Sequence, residues 1–120
     1  MDLIKLLNSV KAHPDFHKAG MVLCHNGVVR ATSRNGREVT GLRIAVDYGK
    51  LDTILKEQRA IPGIVDIRVE IDDTRDLSVG DDVMYLIVAG DVRENVISTL
   101  KETLDRIKSV VTTKTEFFKE

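Results

Sequence analysis

Apolar residues in this chain switch period several times, and each switch marks an element. Leu3, Leu6, Leu7 and Val10 share one face of a helix, with Asp2 as its N-cap and His13-Pro14-Asp15 as its stop. Residues 19–30 read as a strand, apolar through Met21-Val22-Leu23-Cys24 and again at Val28-Val29, with a bulge near Asn26-Gly27. Ser33 to Glu38 reads as a hairpin loop, because Asn35-Gly36 accepts positive φ in a tight turn. Leu42, Ile44 and Val46 alternate in the returning strand, residues 39–47.

Period 3.6 returns at 50–59, with Leu51, Ile54 and Leu55 inward, until Ile61-Pro62-Gly63. Val65, Ile67, Val69 and Ile71 alternate in a strand over 64–71. A charged loop over 72–82 leads into an apolar strand, 83–89. The longest helix spans 92–110, with Val92, Val96, Leu100, Leu104 and Ile107 on one stripe, and 112–118 forms a last strand. The order α-β-β-α-β-β-α-β implies an α+β fold, a mostly antiparallel sheet with helices packed on one face. With no long linker or repeat, the 120 residues are expected to form one domain.

Composition narrows the function classes. Apolar residues are 42% and aromatics 4%, so the core rests on Val, Ile and Leu. The net charge of -1 gives no whole-molecule field for nucleic acid. A single cysteine, Cys24, forms no intrachain disulfide and fits a reducing cytoplasm. The first seven residues are too short and too charged for a signal peptide or membrane span. Neither GxGxxG nor GxxxxGK occurs, which disfavours dinucleotide and nucleoside-triphosphate sites. His13 and His17 have a helical ligand spacing, but Pro14 lies between them, so His13, His17 and His25 read as surface and edge histidines rather than zinc ligands. Cys24 sits in an apolar strand, where a thiol acts as a small hydrophobe.

Two groups of cations remain. Arg30, Arg34, Arg37 and Arg43 surround one hairpin, as either a solvated edge or an anion pocket. Lys101, Arg106 and Lys108 close the long helix, where its dipole favours positive charge. Lys108 follows Leu100 and Leu104 at spacings of four, drifting only about 40° per step from the buried stripe. Desolvation at that border would lower an amine's pKa and suit it to acid/base or nucleophilic work. Arg93 starts the same helix about 22 Å away. One small ligand touches both only if a second chain supplies one of them.

Over residues 19–116 the chain resembles the large, catalytic subunit of molybdopterin synthase. The resemblance is carried by Gly27-Val28-Val29-Arg30 after an apolar strand, a strand reaching Tyr48, and Val79-Gly80-Asp81 before another strand. It continues in a final helix from Arg93 to Lys108, fifteen residues on, and in Lys114-Thr115-Glu116. Val92 stands before Arg93 where that family has histidine, and Asp72-Asp73-Thr74-Arg75 replaces a His-Arg-x-Gly. Val111-Thr112-Thr113 replaces the usual Pro-x-Trp before the second lysine, with one residue fewer separating it from Lys108.

The resemblance implies an α/β-hammerhead-like fold and a sulfurtransferase that converts cyclic pyranopterin monophosphate to molybdopterin. No bound cofactor or metal is implied. The sulfur donor would be a ubiquitin-like carrier, the small subunit, whose C-terminal Gly-Gly thiocarboxylate enters a pocket of the large subunit. A homodimer of large subunits within a heterotetramer is implied, each completing the other's pocket. Lys108 would serve as acid/base or transient covalent amine and Lys114 would assist developing charge. Arg30 would hold the substrate's phosphate or pterin edge, Arg34 would also bind substrate, and Arg93 would reach the anion across the dimer. The rival expectations are a non-catalytic dimer that binds a carrier-like protein and a small nucleotide or pterin binder.

Overall fold

The computed structural model describes residues 1–120. The chain runs α1 (Leu3–Lys11), a 3-10 turn (Phe16–Lys18), β1 (Met21–Val28), β2 (Val39–Val46), α2 (Tyr48–Arg59) and β3 (Ile64–Ile71). It continues through β4 (Leu77–Ser78), β5 (Asp82–Gly90), α3 (Arg93–Arg106), a π-turn (Ile107–Val111) and β6 (Thr112–Phe118). The fold is α+β with antiparallel strands, as the periodicities imply.

The centre is β5, paired on one side with β1 and on the other with β3. Strand side chains alternate between faces, and both faces of β5 are covered. Tyr85, Ile87 and Ala89 pack under Leu6 and Val10 of α1. Met84, Leu86 and Val88 join Leu51, Ile54 and Leu55 of α2, Val96 of α3 and Ile107 in the main core. Double coverage explains why this strand is an unbroken apolar run. It also corrects one detail of the expected layering: α1 covers the face opposite α2 and α3.

The strands do not form one sheet. β2 belongs to a second sheet in the order β4-β2-β6. The hairpin between β1 and β2 is only local: Thr32 bridges Glu38, and the Ser33 N–H donates to the Arg37 carbonyl at 2.9 Å. Gly36 takes φ +84° in its turn. Beyond it the strands part, because β1 is held along its length by β5 and β2 by β6. Part of the expected 72–82 loop is β4, where Leu77 is buried opposite Leu42. There a Cβ on Gly41 would lie 2.3 Å from the Leu77 carbonyl oxygen, so the strands meet only because residue 41 has no side chain.

The buried line of α3 is also rotated from the expected stripe. Val92 is 49% exposed, and the line runs Val96, Thr99, Thr103, Ile107. Thr103 is tolerated inside because its hydroxyl accepts from Gln58 Nε2 of α2 at 3.0 Å. Arg106 extends the link, donating to Gln58 Oε1 at 3.0 Å and to Glu57 at 2.6 Å. No helix is long and apolar enough to cross a membrane.

Candidate functional site

A cavity of about 390 Å³ opens where the two sheets meet. Its floor is apolar: Leu42 and Ile44 from β2, Ile71 from β3, and Val83 and Met84 from β5. Four side chains that carry or can take positive charge line it, namely His25, Arg34, Lys108 and Lys114, and no carboxylate does. Arg34 arrives from the 31–39 hairpin. That hairpin is fastened to the C-terminal strand, since the Arg37 guanidinium stacks 3.7 Å from the Phe118 ring centre. Lys119 pairs with Glu38 at 3.4 Å beside it.

Lys114 projects into the cavity because β6 pairs with β2 in a register that sets Lys114 opposite Ile44 and Glu116 opposite Leu42. Opposed residues of an antiparallel pair share a face. The same register places Glu116 3.9 Å from the Lys114 amine, a partly screened ion pair.

Lys108 lies in the π-turn that ends α3. There the Thr112 N–H donates to the Ile107 carbonyl five residues back, and the Asp47 N–H donates to the Val111 carbonyl at 2.9 Å. Wide turns of this kind recur at functional sites. Ile107 and Val111 stay in the core while Lys108 emerges exposed at the cavity. The expected desolvated border position is thus replaced by an accessible amine.

His25 is the lining residue that sequence reasoning placed at an edge. It lies on the β1 face of Met21 and Leu23, which packs against the main core, and is half-buried. Burial pushes its pKa below the ordinary value, and the nearby Lys108 ammonium pushes it further the same way. The available signal was the alternation itself, which sets residue 25 on the same side as residues 21 and 23.

Arg30 and Arg93 do not line the cavity. The β1–β5 register slips between Gly27 and Val28, near the expected bulge, and the Arg30 Nε donates to the Thr32 carbonyl at 2.8 Å within its own hairpin. Arg93 is exposed at the far end of α3 and pairs with Glu94 at 3.2 Å. No set of three His, Cys, Asp or Glu side chains converges to hold a metal. Cys24 faces away, and burial raises its thiol pKa, partly offset by Lys11. The cavity therefore offers a concave apolar floor with cations at its walls, a site for an anion attached to a flat or apolar body.

The family model described as MoaE protein matches residues 2–110. The chain belongs to the MoaE family. Membership associates it with molybdenum cofactor biosynthesis. No curated protein matches the chain in sequence. Among solved structures it is similar to a molybdopterin synthase from Staphylococcus aureus, with TM-score 0.73, 20% identity, and coverage of 88% of this chain and 78% of that one. A molybdopterin cofactor biosynthesis protein E from Burkholderia multivorans gives TM-score 0.76 and 23% identity over 99% and 82% of the two chains. A complex of subunits 1 and 2 of molybdopterin-converting factor from Helicobacter pylori gives 0.71 and 16% over 100% and 85%. At these identities the neighbours share the MoaE fold, and the chemistry rests on the cavity.

Proposed function

We propose that this MoaE chain acts in the cytoplasm as the large subunit of a molybdopterin-synthase-type sulfurtransferase. In this reading its 120 residues form one domain. The observation that carries the reading is the convergence of Lys108, Lys114 and Arg34, from three separate elements, on one cavity without a carboxylate in its lining. The donor is the C-terminal thiocarboxylate of a ubiquitin-like small subunit, and the acceptor is cyclic pyranopterin monophosphate. The Helicobacter neighbour, solved with its second subunit, supports a partner of that kind.

The apolar floor, Arg34 and the two lysines each have a part in this scheme. The apolar floor receives the pterin and the extended Gly-Gly tail. Arg34 holds phosphate or carboxylate oxygens through its planar fork. The exposed Lys108 amine serves as acid/base or transient covalent acceptor of the carrier's acyl group, as sulfur leaves for the pterin. Lys114 offsets the negative charge that develops on the acyl oxygen. Arg30 and Arg93, both outside the cavity, serve a subsite completed by a second large subunit. Arg93 lies about 22 Å along α3 from Lys108, so it reaches an anion in the partner's cavity rather than its own.

The test is reconstitution. Purified protein, a thiocarboxylated carrier and the cyclic precursor are mixed, and molybdopterin is detected by fluorescence after oxidation. Product that disappears with Lys108→Ala supports the reading. Carrier binding without product replaces it with a catalytically impaired scaffold, a role that the replacement of a family histidine by the exposed Val92 favours.

A further inference from the structure

The sulfur-transfer scheme leaves one ionisable group of the cavity unused. His25 is a lining side chain whose ordinary pKa lies between pH 5 and 8. The charged groups that face it come from three elements. Lys108 approaches from the π-turn, Lys114 from β6 with Glu116 behind it at 3.9 Å, and Arg34 from the hairpin. The walls contributed by β2, β3 and β5 are apolar. On β1 itself the neighbour is Gly27, whose open Cα leaves the imidazole Nε2 side uncrowded: a Cβ built there would lie 3.6 Å from it.

This surrounding sets the sign of the imidazole's response. In the empty cavity an imidazolium would be a fourth cation in a half-buried site, so the neutral ring is favoured. An anion that enters offsets part of the charge of the lysines and Arg34 and adds an attractive partner for a ring proton. The repulsion that opposed the imidazolium then weakens, and the ring, a donor at one nitrogen when neutral, takes up a proton and donates at both.

We propose that oxyanion binding in this cavity is coupled to proton uptake at His25, which acts as a switchable fourth donor beside Lys108, Lys114 and Arg34. The ligand chemistry is a phosphate-like oxyanion or a C-terminal carboxylate. The inference rests on the anion-binding part of the function proposed above and is independent of sulfur transfer. Its consequence is that the cavity grips its anion more tightly as pH falls toward 6 and releases it as pH rises. A site with fixed cations alone holds the same anion equally across that range.

The test uses the intact protein and two probes that do not change charge between pH 5.5 and 8: sulfate for a phosphate-like group and N-acetyl-glycylglycine for a carrier tail. Calorimetry in buffers of different ionisation enthalpy reads proton uptake, and the His25 Cε1–H resonance reads its titration directly. The expected result is proton uptake with at least one probe, an upward shift of the His25 titration, and affinity falling with pH. The fall is about tenfold for each unit by which the bound anion raises the His25 pKa. The arm that shows uptake identifies the chemistry of the ligand. His25→Gln is expected to bind the same probe with no pH slope, and the resonance measurement on the native protein stands even if that variant folds poorly. Binding without proton uptake or a shifted resonance overturns the coupling and leaves the anion site standing. No binding of either probe at any pH overturns both. Uptake in a protein that forms no molybdopterin upholds the coupling and removes the sulfurtransferase reading alone.

Discussion

Replacing Thr103 by valine tests the joint that aims the end of α3, and with it Lys108. The substitution keeps the shape and removes one oxygen. Thr103 is 0% exposed and Gln58 3%, so water does not replace the lost acceptor. The Gln58 Nε2–H, now 3.0 Å from a hydroxyl, is stranded, and a buried unpaired amide donor costs about 1–3 kcal/mol. Against a total stability of about 5–15 kcal/mol that is a large share. Gln58→Leu also removes the acceptor of Arg106 Nη1, but that guanidinium keeps Glu57 and is 36% exposed, so solvent compensates. The double variant places two apolar groups face to face. Its loss is therefore smaller than the sum of the two single losses by about 1 kcal/mol or more. Urea denaturation with an unchanged m-value measures all three. Additive losses, or a Thr103→Val midpoint equal to that of the native protein, would refute the claim that this pair holds α2 to α3.

The remaining predictions concern packing, catalysis and pH. Gly41→Ala forces β2 and β4 apart, since the added carbon meets the Leu77 carbonyl at 2.3 Å, and is expected to cost about 1–3 kcal/mol in the same denaturation assay. Lys108→Ala is expected to lower molybdopterin formation by about 100-fold or more while far-ultraviolet circular dichroism stays native; a loss within twofold removes Lys108 from the chemistry. The His25 pKa is depressed in the folded protein, so its contribution to stability is complete above the unfolded value near 6.5 and is lost as pH falls through the lower folded value. The urea midpoint should accordingly dip on acidification below 6.5, and His25→Gln should remove that dip; an unchanged dip in the variant assigns it to another group.

The elements were legible where local periodicity decides them. α1, the apolar β5 and the length of α3 follow from spacing, caps and breakers. What was not legible depends on pairing between distant segments. Nothing local in Met21-Val22-Leu23-Cys24 or in Leu42, Ile44 and Val46 says that β1 and β2 leave their common hairpin for different sheets. β4 is two residues long and carries no period. The rotated face of α3 escaped notice because Thr99 and Thr103 count as polar, although Gln58 from another helix makes Thr103 a core residue. The site divided along the same line. Lys108, Lys114 and Arg34 were visible as cations, Arg30 and Arg93 were equally visible and lie elsewhere, and His25 needed the strand's facing to be recognised.

The seam between the two sheets has a mechanical consequence. No strand ladder bridges them, and the molecule is elongated, with extents of 51 × 26 × 24 Å. The sheets are joined there by side chains, Leu42, Ile44 and Leu77 against Ile71 and Val83, so a guest lodged at that seam and touching both is expected to slow exchange of amides in β2 and β6 beyond its own contacts. Hydrogen exchange in the outer sheet thus becomes a remote gauge of whether the seam is filled.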